Sequence, residues 1–346
     1  MSVRSRRSYT GENGRHGRLG HARLGRHGVV AGAAVASLML AACSPAGESA
    51  EESGGGGELS IATGGTGGVY YPLGGGFATV IRQNVEGYDA TVQETNASID
   101  NMLLVQQDSA DLALGVGDVV ADAVEGVREF DGQALDLCSM GNLYNNYMQP
   151  VTTQGTGITS IEDMRGKVVS VGDPGSATEV GALRILEAAG IDPDQDVEIR
   201  QLGVDETVTA LKDGTIDAGF WSGGLPTSAL VDLATSEQMV LIPNGEYAES
   251  LVQKYGEYYT PLDVPADTYE DMQGPVSVTA SPNILVASPE MDEQLQEDLT
   301  SAIFENKQQL VKVHPAAKEF DASTAGEVPF IETCPGAQTY FDQAGG

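Results

Sequence analysis

The sequence predicts an α/β fold of two lobes, each a mixed, mainly parallel sheet flanked by helices, and three observations carry that expectation. From Glu58 onward short apolar strands alternate with helical patterns of about ten to fifteen residues, as in βαβ units. The same order of elements then recurs: Gly64 and Gly172, Asp89 and Asp196, and Asp111 and Asp217 stand at matching places, 108, 107 and 106 positions apart. Two long apolar runs, residues 134–153 and 276–288, are placed to cross between the copies. Two antiparallel crossings make a hinge, and a hinge implies a cleft between lobes.

The first copy begins with the strand LSIAT (59–63), whose glycine-rich loop leads to a helix around Pro72 to Asn84. DATVQE (89–94) precedes a helix SIDNMLLVQQ, and DLALGV (111–116) precedes one starting at Asp118. In the second copy KVVSVG (167–172) runs through DPGSATE into the helix EVGALRILEAAG. DVEIRQ (196–201) leads to DETVTALKDG, and IDAGFW (216–221) to a helix started by Pro226. After the second crossing, a helix over 291–310 and a tail from Pro329 return to the first lobe. The expected boundaries are 58–145 with 277–346 for lobe 1 and 146–276 for lobe 2.

The first 42 residues read as an address. Seven Arg precede an apolar run, Val29 to Ala42, too short for the roughly 20 residues of a bilayer-spanning helix. The run ends LAAC, a small-residue cleavage site with Cys43 following, which predicts a lipoprotein signal peptide over 1–42 and acylation of Cys43. Residues 43–57, rich in Gly, Ser and Glu, read as a flexible tether. Arg6 and Arg7 leave both Sec and twin-arginine export open. The expected location is extracytoplasmic, on the outer face of the cytoplasmic membrane or in the periplasm.

Charge and composition exclude several function classes. Removing the seven Arg and one Glu of residues 1–42 leaves 11 basic and 49 acidic residues, a net charge of −38. Such a field repels nucleic acid and anionic lipid. His314 is the single histidine after residue 42, so no His-based triad and no His/Cys metal spacing can be drawn; no catalytic residue, metal or cofactor is expected. Cys138 and Cys334 remain once Cys43 is acylated, and in an oxidising compartment they either pair or stay free.

The loop IATGGTGGVYYPLG (61–74) is the most informative stretch. It lacks the Gly-Lys-Ser/Thr of a phosphate loop, no Lys occurs before Lys167, and counting G-x-G-x-x-G from Gly65 puts Tyr70 at the sixth position. What remains is a strand end, a glycine turn and a helix start, where free N–H groups and the helix dipole favour an anionic group. Gly65, Thr66, Gly68 and Tyr70 are the candidate ligand residues there, with either Tyr70 or Tyr71 packing inward. The second copy supplies a matching terminus in GDPGSATEV, where Ser176 and Glu179 have capping-box spacing and Ser176 and Thr178 are alternatively ligand donors. Asn96 and Ser98 follow another strand end, Asn96 as helix cap or ligand contact. Trp221, the only Trp, sits at a strand's carboxyl end, as core residue or pocket wall. Asp118 and Asp173 stand where they either cap a helix or receive an ammonium.

The segments ELSIATGGTGGVYYPLGGGFATVI, LYNNYMQPV, GITSIEDMRGKVVSVGDPGSATEVGALRILEAAG, GTIDAGFWSGGLPTSALVDLA and CPGAQTYFDQAG together resemble the TAXI family of solute receptors of TRAP-type transporters. The resemblance spans nearly all of the chain after the tether. It implies a type II periplasmic-binding-protein fold, a small carboxylate or amino-acid solute such as glutamate, and a cation-coupled TRAP permease as partner. It also implies that Tyr70, Asn96, Ser98, Tyr144, Gly175, Ser176, Ala177 and Thr178 line the pocket. Two departures stand out: Ala177 where the family commonly has glycine, and Cys334-Pro335-Gly336-Ala337 where it usually has His-Pro-Gly-Ala, which fits a disulfide with Cys138. The arginine clamp of the other TRAP receptor class has no counterpart in this reading, with Arg165 in a turn and Arg184 on a helix. The expectation is a lipid-tethered, monomeric, non-enzymatic receptor; the alternatives are the binding protein of an ATP-driven importer and an enzyme on the same scaffold.

Overall fold

A computed structural model describes residues 56–345. The expected signal peptide, Cys43 and the tether up to Gly55 lie outside these residues; Gly57, expected as tether, already belongs to the first strand. In the first copy the chain runs β1 (Gly57–Ala62), α1 (Tyr70–Asn84), β2 (Tyr88–Gln93), α2 (Ser98–Gln106), β3 (Leu112–Val116) and α3 (Gly117–Glu125). The long strand β4 (Cys138–Met148) and the short β5 (Val151–Thr153) follow. The second copy is β6 (Val168–Ser170), α4 (Ala177–Ala188), β7 (Glu198–Arg200), α5 (Val204–Lys212) and β8 (Ala218–Gly219). Then come β9 (Ser222–Gly223), α6 (Ser228–Ser236), β10 (Met239–Leu241), α7 (Ala248–Tyr255), β11 (Thr260–Val264) and β12 (Val276–Ala287). The chain closes with α8 (Glu293–Glu305), α9 (Lys307–Val313) and α10 (Pro335–Ala344).

Two sheets result. One has the order β2-β1-β3-β12-β4-β9, with β11 paired to β12, and the other β10-β5-β8-β6-β7. The recurrence is visible in the topology: β1 lies parallel between β2 and β3, and β6 lies parallel between β7 and β8. Next to β3 and next to β8 comes an antiparallel strand, β12 and β5 respectively. Parallel pairing is confined to these triplets, so the antiparallel share is larger than the βαβ pattern implies. The reason is that the crossing strands enter beside strands running the other way.

Period-two alternation places the cores. Ile61, Leu112 and Leu114 point to one face of the first sheet, where α1, α8 and α10 bring Phe77, Ile81, Ile303 and Phe341. Ala62 and Ala113 point to the other, against Met102 and Val105 of α2 and Val120 of α3. On α1, Leu73, Phe77, Val80 and Ile81 make one buried stripe at helical spacing. Each such side chain contributes roughly 1.5–3 kcal/mol on burial.

β4 and β12, the strands expected to form the hinge, are antiparallel neighbours in the first sheet, paired from Cys138↔Ala287 to Tyr147↔Ala280. Of the two expected crossings only one is found: the run 134–153 is two strands in two sheets, with Gln149 and Pro150 at the passage, whereas 276–288 does not cross, because all of β12 pairs within the first sheet. Two short strands from the segment expected in lobe 2, β9 and β11, extend β4 and β12. Gln149 and Trp221 exchange backbone hydrogen bonds beside this passage. Pro226 does not start a helix: its peptide bond is cis and α6 begins at Ser228. Cys138 and Cys334 are bonded, 196 residues apart, and pin the segment before α10 to β4.

Candidate functional site

Three connected cavities lie between the two sheets. The mouth, about 350 Å³, is lined by Gly65, Thr66, Asn96 and Trp221 and by the acidic residues Glu94, Asp173, Asp205 and Glu206. Gly65, Asp173 and Trp221 also line an inner cavity of about 30 Å³, with Gly64, Gly68, Tyr70, Ser98, Ser176, Ala177 and Thr178. Val116, Ala177 and Ser222 are shared in turn with a base cavity of about 20 Å³, where Asp118, Asn146, Tyr259 and Ser281 converge. The glycine loop after β1 and the start of α4 thus face one space.

Local sequence explains how the walls are made. Leu73 N–H is the first of α1 to find a helical acceptor, Val69; Pro72 has no N–H and Gly68 N–H turns back to the Gly65 carbonyl, which leaves the N–H groups of Val69, Tyr70 and Tyr71 for a ligand. Gly64 to Gly68 let the loop pass close beneath Trp221: a side chain on Gly68 would meet the indole at 3.0 Å. In the second copy Gly172 takes φ +101, a conformation suited to glycine, and a Cβ there would clash with Thr178 at 2.6 Å. Asn101 donates to the carbonyls of Thr63 and Leu114, tying the ends of β1 and β3 under the cleft. Ala97, at the start of α2, stands at φ 75 and ψ −137, a strained backbone for a residue with a Cβ.

The lobes touch across the cleft. Ile99 N–H donates to the Gly175 carbonyl at 3.1 Å and Ser228 Oγ donates to the Gly67 carbonyl at 2.9 Å. Near the hinge, Arg184 of α4 reaches α3: its guanidinium lies 2.5 Å from Asp122 and 3.4 Å from Asp118, and it donates to Tyr259 Oη at 2.7 Å. Tyr259 in turn donates to Asp118 at 2.7 Å, and Arg184 stacks over Tyr255 at 4.4 Å. Burial raises the Asp118 carboxyl above its ordinary value, opposed by Arg184, and pushes the Tyr259 hydroxyl well up. At the mouth, burial and then the neighbouring Glu206 and Glu179 raise Asp173.

The candidate residues separate into three groups. Gly65, Gly68, Tyr70, Ser98, Ser176, Ala177, Thr178 and Trp221 line the inner cavity. Of the two tyrosines, Tyr70 is the buried one, and burial takes its hydroxyl up to about 12; Tyr71 is exposed. Thr66 and Asn96 are exposed and reach only the mouth and the surface beside it, and Asn96 does not cap α2, whose cap position is Ala97. Gly175 touches the start of α2 rather than the cavity. Tyr144, expected in the pocket, stacks on Phe320 at 6.4 Å in the lobe core and does not line the cavities. Some hydroxyls are engaged internally: Ser176 Oγ accepts from Glu179 N–H as a helix cap, Thr178 Oγ1 from Ser222 N–H, and Ser98 Oγ from Val116 N–H.

Sequence reasoning missed Asn146, Asn283 and Ser281, on β4 and β12. Asn146 and Asn283 donate to Tyr70 Oη at 3.3 and 2.7 Å. Asn146 Oδ1, Asn283 Oδ1, Ser281 Oγ and Tyr144 Oη are buried without a hydrogen-bond partner. Their only sequence signal is polar residues inside otherwise apolar strands, since a fully buried amide in a crossing strand needs a reason.

Residues 61–345 match the sequence profile of the NMT1-like family. Among solved structures, the chain is similar to the binding protein component of an ABC phosphonate transporter from Pseudomonas aeruginosa, at 11% identity over 76% of this chain and 79% of that one, with a TM-score of 0.51. It also matches the periplasmic aliphatic sulphonate binding protein from Escherichia coli, at 13% identity over 83% of each chain and a TM-score of 0.44. An ancestral arginine-binding protein matches at 16% identity over 75% of this chain and 97% of that one, with a TM-score of 0.47. At such identities the likeness speaks to fold, which is the two-lobed periplasmic-binding-protein architecture.

Proposed function

We propose, for this chain, which belongs to the NMT1-like family, the role of an extracytoplasmic solute-binding receptor that closes its two lobes around a small molecule and delivers it to a membrane transporter. One observation carries the reading: the helix start of each copy, the glycine loop Gly64–Tyr70 in the first and Ser176–Thr178 in the second, borders a single cavity together with Trp221. The N-termini of α1, α2 and α4 meet there, each favouring an anionic group by about 0.3–1 kcal/mol. The proposed lobes are 58–145 with 277–346, and 146–276. Capture without chemistry suits a lining in which, among the described residues, no His, Lys or Cys faces the cavities. Export, acylation at Cys43 and action as a monomer are part of the same proposal.

For the membrane partner, the quoted motifs favour a cation-coupled TRAP permease, whereas the comparisons give better support to the permease of an ATP-driven importer. The neighbour with the highest TM-score of those described belongs to an ABC phosphonate transporter. A multispanning permease encoded beside this protein with no ATPase gene would favour the first reading, and an adjacent ATPase the second.

Trp221 supplies the test. It is the only Trp and packs on Gly68 across the cleft, so its emission reports the distance between lobes. Titration of the purified protein with amino acids, carboxylates, sulfonates and phosphonates should give a saturable change matched by heat in calorimetry. Silence in both, with no small molecule released on denaturation, refutes the receptor role.

A further inference from the structure

Within the receptor reading, on which this inference rests, we propose that the ligand carries an ammonium group and no net negative charge, its amine seated at the cleft base. The cleft base holds buried oxygen atoms that lack a hydrogen-bond partner. Asn146 Oδ1 and Ser281 Oγ line it without partners, in residues 2% and 6% exposed, and the Asp118 carboxylate stands beside them. A buried acceptor left unpaired is costly, and an N–H donor from a ligand satisfies several at once.

Arg184 does not reverse this polarity. It lies behind Asp118, outside the lining, and its cluster sets three carboxylates, Asp118, Asp122 and Glu129, against two guanidiniums, Arg184 and Arg128. Arg184 and Tyr259 therefore hold the Asp118 side chain in place and leave an acidic excess.

The approach has the same sign. Glu94, Asp173, Asp205 and Glu206 ring the mouth, and among the described residues no Lys, Arg or His lines any of the three cavities. The crowding is strong enough that Glu206 and Glu179 help raise Asp173. An anion meets repulsion on entry and has only main-chain N–H groups to hold it. Those groups, at the starts of α1, α2 and α4, suffice for one carboxylate of a zwitterion, while a second carboxylate has no counter-charge. The glutamate-like solute implied by the motif resemblance is thus disfavoured, and neutral or basic amino acids and related amines are favoured.

Calorimetry on the purified protein compares matched probes: glutamine with glutamate, leucine with its 2-oxo acid, and lysine, arginine and putrescine with succinate. At least one amine-bearing probe without net negative charge should bind 10-fold or more tightly than its acidic or amine-free counterpart. Its affinity should fall as salt shortens the Debye length from about 10 Å at 0.1 M to about 3 Å at 1 M. Asp173→Asn, a half-buried mouth residue, should weaken that probe at least 3-fold and flatten its salt dependence; Ser281→Ala should weaken it without touching the salt slope. Tighter binding of glutamate, succinate or the 2-oxo acid overturns the inference and leaves the receptor reading intact. Should no probe bind, native mass spectrometry of the purified protein decides: a retained cation or zwitterion supports the inference, a retained anion overturns it, and no retained molecule overturns both.

Discussion

Replacing Arg184 by Met should cost about 3 kcal/mol of stability at pH 7, and the cost should shrink on acidification. The Arg184 side chain is 5% exposed and faces Asp118 and Asp122, themselves 3% and 0% exposed. Removing one partner of a buried ion pair costs about 3–5 kcal/mol, because the other charge stays buried and uncompensated. The lower end applies here: Asp122 keeps Arg128, and Asp118 keeps the Tyr259 hydroxyl and Val119 N–H. Burial already holds Asp118 above the unfolded 3.8 and without Arg184 it rises further. A raised carboxyl lends stability below the unfolded value and loses it as pH climbs through the folded one. The deficit of Arg184→Met should therefore be smallest near pH 4 and grow towards pH 7. Urea unfolding of both proteins across that range measures it, and adding Asp118→Asn should recover part of the loss. A deficit under about 1 kcal/mol, or one independent of pH, refutes the account.

Reducing the Cys138–Cys334 bond, or replacing both by Ser, should destabilise by up to about 5 kcal/mol, because a closed loop of 196 residues removes much chain entropy from the unfolded state; denaturant midpoints with and without reductant check this. Ala97→Gly should raise stability by about 1 kcal/mol by relieving its positive φ, read as a shift in midpoint at constant slope. Gly68→Val should abolish the ligand-dependent change in Trp221 emission while leaving the fold intact, since the added side chain meets the indole and holds the lobes apart. Affinity for an amine should fall as pH drops through the raised Asp173 carboxyl, above 3.8, and calorimetry between pH 7 and 4 measures the loss.

What could be read in advance was local. The β1 to α3 and β6 to β8 segments announce themselves through period-two and helical patterns, and the glycine loops through the turns they must make. Even there the boundaries moved by a residue or two, and α6 began at Ser228, two residues after Pro226, with Thr227 at its cap position. The Ser176 and Glu179 cap was legible for the same reason: its partners are three residues apart.

What tertiary structure alone decided rests on pairs far apart in the chain. Tyr70 meets Asn146 76 residues on and Asn283 213 residues on, and Arg184 meets Asp118 across 66. No periodicity encodes such partners, because they are chosen by how sheets and helices stack, not by neighbours in sequence. For that reason Tyr144 looked like a wall of the pocket and lies in the core, Arg184 read only as a helix residue and is the buried partner that holds Asp118 from behind the cleft base, and the sign of the cleft emerged only once Glu94, Asp173, Asp205 and Glu206, from three separate segments, were brought to one opening. Composition determined that the protein is acidic; the packing of its two halves determined which acids face a ligand.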